Sequence, residues 1–303
     1  MSPSLLFTLA TCLLFSLCLA QDGTGLVTAS QPVDVDKAQL ASLVQHNFIT
    51  LTNTNCGYAM FAWNLVEGFK RVGLRNVLII TEDDLSYNYL KKVIPVVHLT
   101  RATSNRSSSR TALLPAKYGS RAFMKLTRVR GKYIRAILKE GYYVLWNDVD
   151  AAPLKNLEPF LPRGYDVGVT DDSPRASYNS GNFCSCFVFY KPSALTLAFV
   201  DSWLMLLLQP SRSHDQADFN KALRIAREAS GLSMFLFPVH LFPNGQYFDA
   251  QAKTALWCHA NFRVGRSAKR DFLQAHKAWF IHDNTTDLAI TCPAQPILAA
   301  GTN

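Results

Sequence analysis

The 303-residue sequence lacks the short motifs that mark several large enzyme classes, and only 17% of its residues are charged. It contains no G-x-x-x-x-G-K-[ST] phosphate loop, no G-x-G-x-x-G, no H-E-x-x-H and no G-x-S-x-G. These absences argue against P-loop NTPases, dinucleotide oxidoreductases, zinc proteases and α/β-hydrolases. No internal repeat with a period of about 20–50 residues occurs, which argues against a solenoid or a propeller.

The composition is that of a globular protein with an excess of positive charge. Hydrophobic residues make up 49% of the chain, beside 15 Gly and 14 Pro, which excludes a disordered, collagen-like or coiled-coil protein. The 31 Lys and Arg residues outnumber the 22 Asp and Glu residues, giving a net charge of +9. Such an excess suits an anionic partner, which could be nucleic acid, a membrane surface or a phosphorylated small molecule.

The N-terminal segment narrows that choice. Residues 5–20 form an uninterrupted run of apolar and small side chains that is short for a membrane span. Cys18 and Ala20 fit the −3 and −1 positions of a cleavage site, so we interpret 1–20 as a signal peptide, with an uncleaved signal anchor as the alternative. Either places the remaining chain in the secretory pathway, in the Golgi lumen or outside the cell. We therefore expect no nucleic-acid partner, and membrane contact only through an uncleaved anchor.

Five cysteines remain after such a signal peptide. In an oxidising compartment they allow at most two disulfides and leave one odd thiol, with the pairing undetermined. The C-x-C spacing of two of them matches neither a zinc finger nor a thioredoxin motif, and we interpret these two as small buried residues on a strand. The five are Cys56, Cys184, Cys186, Cys258 and Cys292.

Hydrophobic periodicity predicts alternating strands and helices. Continuous apolar runs joined by a helical segment with short connections are typical of a βαβ unit in a parallel sheet. The residues therefore predict an α/β fold with a parallel sheet. Strands are predicted at 48–52, 77–81, 93–99, 142–146, 167–170 and 183–190, and helices at 59–71, 121–140, 194–208 and 216–229.

The tripeptide Asp-Val-Asp occurs twice, in two different contexts. Asp34 and Asp36 lie in a polar segment with no strand before it, which indicates a chance match on the surface. Asp148 and Asp150 follow a buried apolar strand, at the end of the strand where open α/β sheets bind ligands. Two carboxylates at this spacing can converge on Mg²⁺ or Mn²⁺, and such an ion can neutralise a diphosphate. The alternative is a solvated turn.

The stretch Tyr-Tyr-Val-Leu-Trp-Asn-Asp-Val-Asp at 142–150 resembles the hallmark of the nucleotide-diphospho-sugar transferase family. These GT-A-fold glycosyltransferases include plant cell-wall arabinosyl-, xylosyl- and galactosyltransferases. The resemblance implies a Rossmann-type mixed, mostly parallel sheet flanked by helices. The resemblance covers about 47–281, and it departs at Cys186, where the family usually has glycine. That departure implies a changed pocket and acceptor preference. The other matching segments, in order, are 48–52, 76–83, 118–128, 171–172, 184–192, 214–220 and 259–269.

The resemblance implies a domain plan and a set of site residues. A GT-A-like domain would span 47–283, after a lead-in at 21–46 and before a tail at 284–303. Asp148, Asp150 and His259 would hold the metal, and Asp215 and Gln216 would lie near the sugar or acceptor as tentative catalytic residues. The nucleotide-sugar side would comprise Thr52, Asp83, Lys125, Arg128, Asp148, Gly265 and Lys269.

Structural alternatives stand beside these roles. Asp83 could be a turn residue, Asp215 a helix cap, and His259 a core or surface histidine. Residues 117–139 carry eight basic side chains and no acidic one, which is also what a solvated helix face would show.

The expected reaction is transfer of a sugar from a nucleotide sugar, a UDP-sugar, to a hydroxyl of a glycan or glycoprotein. The resemblance implies a Mn²⁺ or Mg²⁺ cofactor and retention of the anomeric configuration, and we assign no nucleophile. The main alternative is an inactive secreted carbohydrate-binding member of the same fold. A phosphoester hydrolase usually has more clustered His and Asp ligands than the seven scattered His residues of this chain provide. A basic polysaccharide-binding module would leave the strand-end carboxylates unexplained.

Overall fold

The computed structural model describes residues 35–102, 120–173, 181–209 and 215–281. Within these residues the chain forms a seven-stranded sheet and a separate two-stranded sheet. The predicted signal peptide and the C-terminal tail lie outside the described residues. The strands are β1 (Phe48–Thr54), β2 (Val77–Thr81), β3 (Leu99–Arg101), β4 (Tyr143–Asn147), β5 (Ala151–Pro153), β6 (Val167–Asp171), β7 (Phe183–Tyr190), β8 (Met234–Leu236) and β9 (Trp257–His259).

The large sheet is mixed and mostly parallel, in the order β3-β2-β1-β4-β7-β6-β8. The first four strands in that order are parallel, and β6 is parallel to β8. Strand β7 runs antiparallel to both of its neighbours, β4 and β6. Strands β4 and β6 therefore point the same way, and their carboxyl ends lie at the same edge of the sheet. The predicted fold class is confirmed.

Helices cover the sheet on both faces. Successive residues of a strand point to opposite faces, so Leu78 and Ile80 of β2 join one hydrophobic core while Val77 and Ile79 join the other. Both cores are continuous with the helices that pack on them. The helices are α1 (Lys37–Leu43), α2 (Ala59–Arg71), α3 (Asp84–Val93), α4 (Arg121–Arg128), α5 (Arg130–Lys139), α6 (Ala194–Leu208), α7 (Asp215–Ser230), α8 (Phe248–Gln251) and α9 (Arg266–Ala275).

Two predicted elements differ in the structure. The predicted strand 93–99 is wrong, because α3 extends to Val93 and β3 begins only at Leu99. Pro95 stops the helix, since proline disfavours a helical conformation in the residue before it. The predicted helix 121–140 is divided at Val129. At the division the Arg130 side chain donates to the Thr127 carbonyl, and a side chain that takes a helix carbonyl commonly breaks a helix.

The predicted lead-in is partly helical. Helix α1 buries Leu40 and Leu43 in the core that also contains strands β1 and β4. Asp36, from the first Asp-Val-Asp, caps this helix by accepting a hydrogen bond from the Ala38 N–H. Among the described residues, none of the helices has the length and apolar character that a membrane crossing requires.

Candidate functional site

Asp148 and Asp150 leave the end of β4 and are held there by backbone hydrogen bonds. The Asp148 N–H donates to the carbonyl of Cys186 on β7, at 2.8 Å. The Asp150 carbonyl accepts from the Ala260 N–H, at 3.0 Å. Both carboxylates therefore lie at the carboxyl edge of the parallel strands, where the sequence predicted them.

The small sheet brings His259 to this edge. Strand β5 pairs antiparallel with β9, and Ala151 is the partner of His259. The imidazole is 2% exposed, and its Nε2 lies 3.3 Å from the Asp150 carboxylate. One ligand atom from each of Asp148, Asp150 and His259 falls within 4.8 Å of the others. The indole of Trp257 donates to Asn147 at 2.8 Å and anchors β9 against the end of β4.

Opposite charges keep Asp150 ionised. Burial raises its pKa, but Lys269 and His259 outweigh burial and hold the pKa of Asp150 well below its ordinary value. The Lys269 ammonium contacts the Asp150 carboxylate directly, which raises the pKa of Lys269 against the effect of burial. At Asp148 burial prevails over the nearby Arg130 charge, so the pKa of Asp148 is raised.

Arg130 joins the two sides of the site, and it was not among the site residues predicted from the sequence. Its guanidinium is 3.2 Å from Asp148, 3.0 Å from Asp215 and 2.8 Å from the Ser185 carbonyl. A sequence signal was present, since Arg130 lies four residues before Ile134 on the apolar face of its helix. A basic residue on a buried face needs acidic partners.

Asp215 and Gln216 begin α7 and face the same region. The Asp215 carboxylate forms an ion pair with Arg130, a contact that a role as helix cap alone would not require. The Gln216 amide donates to Asp172 at 2.9 Å and accepts from the Ser185 N–H at 3.3 Å. Asp215 is thus linked to Asp148 through Arg130, and Gln216 is linked to the same arginine through the backbone of Ser185.

Asp172 is a further carboxylate of the site. It follows the end of β6, as Asp148 follows the end of β4, so its position carried the same sequence signal. Its second oxygen accepts from the Asn261 amide at 3.0 Å, two residues beyond His259. Burial raises the pKa of Asp172, against the hydrogen bond from Gln216.

Gly265 and Lys269 form a cationic helix start beside Asp150. Gly265 precedes α9 with φ at 87° and ψ at 158°, a conformation that is essentially restricted to glycine. Lys269 lies in the first turns of α9 and also donates to the Ala260 carbonyl, at 3.3 Å. Free N–H groups at a helix start and an ammonium together favour a phosphate group.

Three other residues predicted to bind the nucleotide sugar are buried or hydrogen-bonded within the protein, and their binding roles stay predictions. Thr52 is fully buried inside β1. Asp83 caps α3, accepting from the N–H groups of Ser86 and Cys56 at 2.7 Å each. Arg128 donates to the Leu207 carbonyl at 3.4 Å. The side chain of Lys125 lies outside the described residues.

The C-x-C cysteines are buried on strand β7, as predicted, but they are also bonded to each other. Cys184 and Cys186 form a disulfide with a Cα–Cα distance of 5.1 Å. The pairing of β7 with β6 shifts at this point, which draws the two Cα atoms within the usual range for a disulfide. Cys56 is disulfide-bonded as well, and Cys258 is a free, buried thiol.

The donor set fits Mn²⁺ or Mg²⁺. Two carboxylates offer the oxygen ligands that these ions prefer, and a neutral imidazole suits Mn²⁺. His259 Nδ1 is buried and has no hydrogen-bond partner among the described residues. Asp148 and Asp150 lie in the turn between β4 and β5, and His259 lies on β9, which pairs with β5, so paired strands hold the set in place.

Comparison with known proteins identifies relatives of this chain. The sequence profile of the nucleotide-diphospho-sugar transferase family matches residues 72–273. UDP-D-xylose:L-fucose alpha-1,3-D-xylosyltransferase 3 of Arabidopsis thaliana is 27% identical over 199 residues, covering 56% of this chain and 51% of that protein. Beta-arabinofuranosyltransferase RAY1 of the same plant is 26% identical over 271 residues, covering 80% of this chain and 47% of that protein. The chain spans about half the length of the curated relatives it matches.

A solved structure with the same fold is that of the bifunctional glycosyltransferase WbbM in its apo form. It matches with a TM-score of 0.50 at 13% sequence identity, over 77% of this chain and 50% of that chain. At that identity the likeness concerns the fold alone.

Proposed function

The chain belongs to the nucleotide-diphospho-sugar transferase family, and we propose that it transfers a sugar from a UDP-sugar to a hydroxyl of a glycan or glycoprotein. We further propose that the reaction needs Mn²⁺ or Mg²⁺ and retains the anomeric configuration. The observation that carries the proposal is the convergence of Asp148, Asp150 and His259 within 4.8 Å. The family profile supports a nucleotide-sugar donor, and retention rests on the family resemblance.

Asp148, Asp150 and His259 would hold the metal ion. When bound, such an ion stabilises the negative charge that develops on a departing diphosphate. Asp150 is ionised at neutral pH because its pKa is held low by Lys269 and His259 in spite of burial. The carboxylate is therefore ready to bind a cation without first losing a proton.

Lys269 and the start of α9 would bind the diphosphate. The Lys269 side chain is 16% exposed and its ammonium contacts the Asp150 carboxylate, so the ammonium can bind a phosphate placed beside Asp150 in place of that carboxylate. Gly265 gives the helix start a backbone conformation that disfavours any side chain, although a Cβ there would meet nothing within 4 Å. Both features favour binding a leaving group that carries negative charge.

Asp172, Asp215 and Gln216 would bind the transferred sugar and the acceptor. Asp172 follows the end of β6, and Asp215 and Gln216 begin α7. Asp215 contacts Arg130, and Gln216 donates to Asp172. Carboxylate and amide groups in fixed positions are suited to sugar hydroxyls, since each hydroxyl both donates and accepts hydrogen bonds. Asp215 and Gln216 are the proposed catalytic residues.

We also propose that the chain acts in the secretory pathway, in the Golgi lumen or after secretion. This proposal rests on the apolar run at 5–20 and its cleavage-site residues.

The test is nucleotide release from a panel of UDP-sugars by the purified chain, with Mn²⁺ and with a chelator. We expect metal-dependent release from one donor and its loss in Asp150→Asn. Asp249→Asn is the matched control, because this carboxylate is exposed and pairs with His276. If release persists with chelator, or if Asp249→Asn also loses it, the proposed site is wrong. Binding of UDP without turnover of any donor would indicate that the acceptor is missing from the assay. No binding of UDP would support the inactive carbohydrate-binding alternative. Product anomers measured by NMR test retention.

A further inference from the structure

His259 lies between two sets of metal-binding atoms. One ligand atom of His259 falls within 4.8 Å of the Asp148 and Asp150 carboxylates. One also falls within 4.8 Å of the sulfur atoms of Cys184 and Cys186. The first set offers oxygen, which suits hard cations, and the second offers sulfur, which suits soft ones.

The sulfur atoms are buried and held in place next to the site. Cys184 and Cys186 are 4% exposed each, within a strand whose residues are all buried. Ser185, between them, is bonded through its backbone to Arg130 and Gln216. The Cys186 carbonyl accepts from the Asp148 N–H. The backbone of the cysteine pair is therefore fixed independently of the bond between the sulfurs.

We propose that the Cys184–Cys186 pair is a redox-gated site for a thiophilic divalent cation such as Zn²⁺. A dithiol reductant would break the sulfur–sulfur bond, give one hydrogen to each cysteine sulfur, and itself become a disulfide. The cation would then bind both sulfurs as thiolates, displacing their two protons, and take His259 as the third ligand. Two thiolates and an imidazole form a common zinc ligand set. A disulfide is a poor ligand because thiolates are the form that binds metal.

Sharing of His259 has a functional consequence. Once His259 binds a cation on the cysteine side, it is withdrawn from Asp148 and Asp150. Zn²⁺ should therefore weaken Mn²⁺ binding in the reduced chain and leave it unchanged in the oxidised chain. The oxidised pair keeps His259 for the carboxylates, which is the state expected in an oxidising compartment.

The test uses Co²⁺ as a probe, because a Co²⁺–thiolate bond produces a charge-transfer absorption band in the near ultraviolet. The full chain is stripped of metal and titrated with Co²⁺ in reduced and in oxidised form. We expect the band only in the reduced chain, at one Co²⁺ per chain, and its loss on adding Zn²⁺. Absence of the band from the folded, reduced chain would overturn the proposal.

Matched variants assign the band to these sulfurs. Cys184→Ser and Cys186→Ser should each abolish it or weaken Co²⁺ binding at least tenfold. Cys258→Ser is the matched control, because Cys258 is also a buried thiol and adjoins His259 in the chain. This variant should leave the band unchanged. If Cys258→Ser removes the band, or if Cys184→Ser retains it, the site is not the one proposed. Cys186→Gly, with the residue usual in the family, is a second variant should serine disturb folding, as checked by circular dichroism.

The outcome is separable from the proposed transferase activity. Asp150→Asn should retain the Co²⁺–thiolate band while it loses metal-dependent turnover. In the unsubstituted chain, a Co²⁺–thiolate band without turnover of any donor would support the cysteine site and contradict the enzyme proposal. Turnover without a band would do the reverse.

Discussion

The guanidinium of Arg130 lies 3.0 Å from the carboxylate of Asp215, and the two side chains are only 6% and 5% exposed. The same guanidinium contacts Asp148 at 3.2 Å. One buried cation thus sets the spacing between a proposed metal ligand and a proposed sugar-side residue. Removal of this cation would leave two acidic groups near each other without compensation.

Arg130→Met should destabilise the fold strongly. Breaking a buried ion pair by removing one partner costs about 3–5 kcal/mol, because the other charge stays buried. We expect a loss of this size in the free energy of unfolding, measured by urea denaturation.

Arg135→Met is the control on the same helix. Arg135 pairs with Asp201, and these side chains are 34% and 46% exposed. Exposed pairs contribute about 0–1 kcal/mol, so the loss should be small. Equal losses in the two variants would contradict the structural role assigned to Arg130.

Lys269→Met should make the thermal stability of the protein depend more strongly on added Mn²⁺. The variant leaves the Asp150 carboxylate without its ammonium partner, at a cost of about 1.5–3 kcal/mol for a charged hydrogen bond. Mn²⁺ can replace the missing positive charge, so it should raise the Tm more in the variant than in the wild type. Thermal unfolding with and without Mn²⁺ measures this difference.

Lys70→Met serves as the comparison for Lys269→Met. Lys70 is an exposed lysine that lies 3.5 Å from Glu67. Its loss should change neither the Tm nor the response to Mn²⁺. A Lys269→Met variant that responds to Mn²⁺ no more than Lys70→Met would argue against a cation site at Asp150.

Asp150 and Asp172 should affect acid stability in opposite directions. Despite burial, Lys269 and His259 lower the pKa of Asp150, so the unfolded chain binds more protons at this group and stability falls as pH falls. Burial raises the pKa of Asp172, so the folded chain binds more protons there and stability is gained as pH falls.

Substitution by asparagine removes each contribution. Between about pH 5 and pH 3, the unfolding free energy of Asp150→Asn should decline less steeply than that of the wild type. That of Asp172→Asn should decline more steeply. Urea denaturation across this range measures both slopes, and slopes changed in the same direction would refute the assigned environments.

Gly265→Ala should destabilise the start of α9. The φ of 87° and ψ of 158° lie in a region where a side chain costs about 1–3 kcal/mol. Gly164→Ala is the control, because a Cβ at Gly164 also meets nothing within 4 Å and the backbone there does not have a positive φ. We expect the loss only at Gly265, together with weaker UDP binding by calorimetry. A tolerated alanine at Gly265 would show that the glycine is not required.

Local signals were sufficient for the elements with continuous or periodic apolar patterns. Strand β2 and helices α2 and α6 have the predicted limits. Helix α3 was missed because its cap, Asp83, was assigned to ligand binding and because its C-terminal apolar residue, Val93, was assigned to a strand. Short apolar runs do not distinguish the end of a helix from a strand.

Local signals likewise located some residues of the functional site and missed others. Asp148 and Asp150 could be located from the strand before them, since the end of a parallel strand is a general ligand position. Asp172 had the same signal, but it came from the family match without an assigned role. Arg130 was grouped with seven other basic residues, because charge alone does not distinguish a buried cation from a solvated one.

The amino-acid sequence by itself determined the α/β class, the positions of the main strands and the acidic residues at the end of β4. These follow from local periodicity and from strand ends, which involve neighbours in the chain. Only the tertiary structure decided that Arg130 joins Asp148 to Asp215, that β9 presents His259 to Asp150, and that Cys184 bonds to Cys186. Contacts of that kind depend on how the sheet and helices pack in space, and no regular spacing in the chain encodes them.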